Sequence, residues 1–68
     1  MIKTDLLKGK IAECGFSQKQ LALKLEMTPN TFYRKMKSGV FDSDEILEMI
    51  ELLKITNPIE IFFATDVA

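Results

Sequence analysis

The sequence predicts an all-α fold: one compact domain of five helices. Three observations predict it. Polar residues suited to capping precede four apolar stretches, and apolar residues within those stretches recur at helical spacing. No stretch makes a persuasive strand. Ile59-Glu60-Ile61-Phe62-Phe63 could be read as one, but the Asn57-Pro58 start ahead of it favours a short helix.

The first helix, about 4–14, has the weakest start, near Thr4 or Asp5; Leu6, Leu7 and Ile11 carry its period and Gly15 stops it. Gly9 inside it costs up to ~1 kcal/mol relative to alanine, and its small size suits close helix packing. The second helix, about 17–25, opens on a capping box, Ser17 with Gln20, and Phe16 can staple onto Leu21. The third, about 28–37, opens on Thr28 with Pro29 at the first helical position, and Met27 and Phe32 are spaced to staple across that start. The fourth, about 43–54, opens on Asp42 with Glu45, flanked by Phe41 and Ile46. The fifth, about 57–63, opens on Asn57, Pro58 and Glu60. Residues 65–68 are expected to fray.

The chain has 68 residues, enough for one domain, and nearly half are hydrophobic, so it can build a core. No apolar run approaches the roughly 20 residues that span a bilayer, and no signal-peptide stretch opens the chain, so a cytoplasmic setting is expected. One cysteine, Cys14, excludes an internal disulfide and reads as a small buried hydrophobe; Met27, Met36 and Met49 read as core filler. Without histidine, a metal site would need carboxylates alone. Asp42, Asp44 and Glu45 cluster, but at the spacing of a helix N-terminus, where acids favour the dipole. There is no activated nucleophile pair and no glycine-rich phosphate loop, so neither an enzyme nor a cofactor is expected.

Net charge is −1, yet the charges are segregated. Residues 1–41 carry eight Lys/Arg against three acids; residues 42–68 carry Lys54 against seven acids. Such a division can give a positive face on a nearly neutral molecule. The plain alternative is two solvated surfaces.

Only Glu26 and Met27 separate the second helix from the Thr28 cap, so the two helices must cross steeply, as in a helix-turn-helix spanning about 17–37. Leu21, Leu25, Met27 and Phe32 would fill the angle, with Ala22 where the backbones approach closest. The third helix then turns Asn30, Tyr33, Arg34 and Lys37 outward, donors suited to phosphate oxygens and major-groove base edges.

Ser17-Gln18-x-x-Leu21-Ala22, the spacing to Thr28, and Thr31-Phe32-Tyr33-Arg34-Lys35-Met36 resemble the phage repressor and Cro-type, or lambda repressor-like, helix-turn-helix family. The resemblance extends more loosely through Gly39-Val40-Phe41 and Asp44-Glu45-Ile46 to Ile61-Phe62-Phe63, and points to small prophage regulators of Gram-positive type. It implies a sequence-specific transcriptional regulator that binds a double-stranded DNA operator. Gln18 would contact a phosphate with help from the helix dipole. Thr28, Asn30, Tyr33 and Arg34 would face the groove, and Lys19, Lys35 and Lys37 would grip phosphates. Members bind as homodimers to half-sites about one helical turn apart.

Two departures bear on detail. Glu26 stands where the turn often has glycine, implying mild strain or a different turn. The apolar residue after Phe32 is Met36, four positions on, so the recognition helix is rotated and either Arg34 or Lys35 is left as base reader. Phe62 or Phe63 is the expected contact to a second subunit, and Leu23 is a further candidate for an apolar patch. The competing function is a protein-interaction module on the same fold, an anti-repressor or antitoxin acting through the acidic half.

Overall fold

Five helices form in order: α1 (Thr4–Glu13), α2 (Gln18–Lys24), α3 (Pro29–Ser38), α4 (Ser43–Leu52) and α5 (Pro58–Phe62). They belong to a computed structural model that describes residues 2–63. The described residues contain no strand, and the 65–68 tail lies outside them.

Helix starts follow the capping chemistry. Ser17 Oγ accepts the Gln20 N–H at 3.1 Å, and Gln20 Oε1 accepts the Ser17 N–H at 2.9 Å, a closed capping box. Thr28 Oγ1 accepts the Thr31 N–H at 3.3 Å, with Pro29 in the first turn. Glu45 Oε1 accepts the Asp42 N–H at 2.8 Å at the start of α4. Asn57 makes no side-chain cap; its Nδ2 donates to Glu60 Oε2 at 3.0 Å.

Helix ends share a second device. The residue after the α2 cap, Glu26, and the residue after the α4 cap, Lys54, have positive φ (59° and 51°), as do Gly15 after α1 and Gly39 after α3. Each reversal lets the next apolar residue's N–H reach back into the helix: Phe16 to Ile11, Met27 to Ala22, Val40 to Lys35 and Ile55 to Ile50, at 3.0–3.3 Å. That device ends α4 at Leu52 rather than the expected 54.

One core joins all five helices. Leu7, Ile11, Leu21, Phe32, Met49 and Leu53 are almost wholly buried, and Ile61 and Phe62 close the core from α5. Phe16, Met27 and Ile46 are half-buried against it. Phe62 is therefore a core residue, and Ile59 in α5 and Phe63 just after it are the exposed apolar pair. The Lys3 N–H donates to the Ile61 carbonyl at 2.7 Å, tying the segment before α1 to α5.

Two expectations are corrected. Cys14 is exposed, not buried: it follows the last turn of α1, and its thiol lies 3.3 Å from the Leu53 carbonyl it can donate to. Gly9 makes no close packing, because a Cβ built there meets no atom within 4 Å.

Candidate nucleic-acid interface

The candidate interface lies on α2 and α3, which pack on each other more extensively than any other pair of helices. Four non-helical residues, Leu25, Glu26, Met27 and Thr28, join them. Leu21 and Ala22 of α2 are fully buried, and so is Phe32 of α3, where the helices meet. Phe32 also lies 5.6 Å, centroid to centroid, from Phe41 beyond α3, so its ring packs α3 against the segment that follows it.

Phe32 and Met36 are the buried residues of α3, four apart and so on one face. Burying them fixes the rotation of the helix. Asn30, Tyr33, Arg34 and Lys37 then fall on the opposite stripe, and all four are exposed. Tyr33 keeps 46% of its surface accessible while its ring packs edge-on with Phe32, centroids 6.4 Å apart.

Gln18 is the first residue of α2 and is half-buried; Lys19 beside it is exposed. Thr28 is exposed, and its hydroxyl donates to Thr31 Oγ1 at 2.8 Å while it caps α3. Lys19, Arg34 and Lys37 have no acidic partner among the described residues. Cations without an internal acid are left to meet an anionic ligand.

Lys35 is placed differently. At 100° per residue it lies roughly 150° around the helix from the centre of the exposed stripe. Its Nζ is 2.7 Å from Glu45 Oε1 and 2.7 Å from Oε2, with Asp42 Oδ2 at 3.5 Å. Hydrogen bonding to Glu45 outweighs partial burial and raises the Lys35 pKa above its ordinary value. Lys35 therefore stays charged at neutral pH, with that charge met inside the molecule. Sequence reasoning read Glu45 only as a cap. Its second partner lies ten residues away across a turn, where no periodicity reports contacts.

The glycine-free turn resolves as Glu26 in the left-handed region at φ 59°, the mild-strain alternative rather than a new turn type. Leu23 is exposed, as a patch member must be. Among the described residues no cluster of three His, Cys, Asp or Glu side chains could hold a metal, and no helix is long and apolar enough to cross a membrane.

Residues 4–38, covering α1 to α3, match the family model described as bacterial regulatory protein, Fis family. The match is to a helix-turn-helix DNA-binding motif and does not single out phage repressors or Cro proteins. No curated protein and no solved structure matches the chain.

Proposed function

The chain belongs to the Fis family of bacterial regulatory proteins, and from that premise we propose that it is a sequence-specific transcriptional regulator of double-stranded DNA. α3 enters the major groove, which at about 12 Å wide admits a helix with its side chains. Asn30, Tyr33 and Arg34 face base edges, with Thr28 at the mouth of the helix; Gln18, Lys19 and Lys37 hold phosphates on either side.

The observation that carries this reading is the exposed stripe Asn30–Tyr33–Arg34–Lys37, whose cations are not spent on internal acids. Arg34, not Lys35, is the base reader, because Lys35 is held by Glu45 on another face.

We further infer a repressor or Cro-like regulator of phage or prophage type. The Ser17-Gln18-x-x-Leu21-Ala22 segment supports it, as do α4 and α5, which complete the core beyond the matched residues. Such a regulator acts as a homodimer on two half-sites, with Phe63 and Ile59 as the apolar contact between copies.

The test is selection of preferred duplexes from a random pool, followed by binding of variants. Arg34→Ala should cost roughly 1–3 kcal/mol on the selected duplex and relax preference at one position. Lys37→Ala should weaken binding evenly across sequences and lower the salt slope by about one. A wild type that shifts no duplex at low salt turns the assignment to a protein-interaction module acting through the acidic half.

A further inference from the structure

Lys35 is the one cation of α3 with acidic partners among the described residues, and the residues around it form a junction. Its side chain spans both oxygens of Glu45 at 2.7 Å. The Glu45 Oε1 that it holds also accepts the Asp42 N–H at 2.8 Å, so one carboxylate both opens α4 and grips α3. The Lys35 carbonyl accepts the Gly39 N–H at 2.8 Å, the Val40 N–H at 3.3 Å and the Ser38 hydroxyl at 3.1 Å, so the same residue also ends α3. The Lys35 and Glu45 side chains keep only 22% and 17% of their surface, so solvent and salt screen the pair less than an exposed bridge.

We propose that Lys35 is a positioning residue: through Glu45 it sets the orientation of α3 against α4, and so determines DNA specificity without touching DNA. This rests on the DNA-binding reading above. Phe32 and Met36 fix the rotation of α3 through apolar contacts, which are not directional. The Lys35–Glu45 pair, one residue before Met36, adds a directional restraint from α4. Base recognition needs donors held within about 0.5 Å and 10–20° of their working geometry, and a small tilt of α3 exceeds that at Asn30 and Arg34. Loose phosphate contacts tolerate the same tilt.

The competing role is a phosphate grip, with Lys35 leaving Glu45 on binding. The two roles give different readings on the full chain when affinity is measured against salt on the selected duplex and on random duplex. If Lys35 positions α3, Lys35→Met and Glu45→Gln each lower the ratio of selected to random affinity about tenfold, the discrimination of one base pair. The salt slope on random duplex stays unchanged, and Lys35→Arg, whose guanidinium can still span the carboxylate, keeps the ratio. Glu45→Gln retains the cap on Asp42, so it decides the matter if Lys35→Met does not fold. An unchanged ratio in both, a salt slope lowered by about one in Lys35→Met, or a ratio lost in Lys35→Arg overturns the proposal while the DNA-binding reading stands. A wild type that binds no duplex overturns that reading, and this one with it.

Discussion

Positive φ is cheap for glycine and costs other L-residues roughly 1–2 kcal/mol. Two glycines of the first helical segment therefore carry opposite predictions. Gly9 lies mid-helix in α1 with open space where a Cβ would go, so Gly9→Ala should raise stability by about 0.5–1 kcal/mol. Gly15 also has open space, but its φ is +81°, so Gly15→Ala should lower stability by about 1 kcal/mol. Glu26 inverts the case: at φ 59°, Glu26→Gly should stabilise by about 0.5–1 kcal/mol. Urea denaturation of the three variants checks all three signs, and a loss of stability in Gly9→Ala would contradict the open environment assigned to it. The sequence marked Gly15 and Glu26 as turn residues because turn chemistry is local. It could not show that Gly9 faces space or that Cys14 is exposed, because both depend on which distant helix covers that side of α1.

Among the elements, the α1–α2 and α2–α3 connections are one device used twice: a left-handed residue, an apolar residue whose N–H reaches back, then a hydroxyl cap, as Gly15-Phe16-Ser17 and Glu26-Met27-Thr28. This short-range chemistry is why the starts of α2, α3 and α4 were legible within a residue or so. The crossing of α2 over α3 depends on less local terms, above all Ala22, which is wholly buried on the α2 side. Ala22→Leu adds volume at the junction and should cost about 1–3 kcal/mol. It should also spread the two helices, so selected-duplex affinity should fall by more than random-duplex affinity. Thermal unfolding together with the affinity ratio checks this; a variant as stable and as selective as the wild type would mean the angle is held elsewhere. The Lys35–Glu45 restraint was not legible. Both residues had satisfying local roles, one as a surface cation and the other as a cap, and only the packed arrangement of α3 and α4 brings them together.

For the whole molecule, the bases concentrate in residues 1–41 and the acids in residues 42–68. α5 has five residues, too few to persist alone. It is held by burial of Ile61 and Phe62 and by the Lys3–Ile61 hydrogen bond. That leaves Ile59 and Phe63 exposed on consecutive turns, at 71% and 57%, although both are large and apolar. A helix held so lightly is a poor place to display two such residues unless something covers them. A second copy docking through them would present two α3 helices to one duplex. Phe63→Glu places a charge in that contact without disturbing the core, so it should sediment as a monomer at concentrations where the wild type is a dimer. Operator affinity should then fall at least about tenfold, because the second half-site no longer binds intramolecularly. Phe62→Glu is the contrast: its charge enters the core unpaired, so the loss should appear as unfolding rather than as clean dissociation. A wild type that remains monomeric at high concentration, on and off a two-half-site duplex, would leave Ile59 and Phe63 without this role and make each chain a reader of a single half-site.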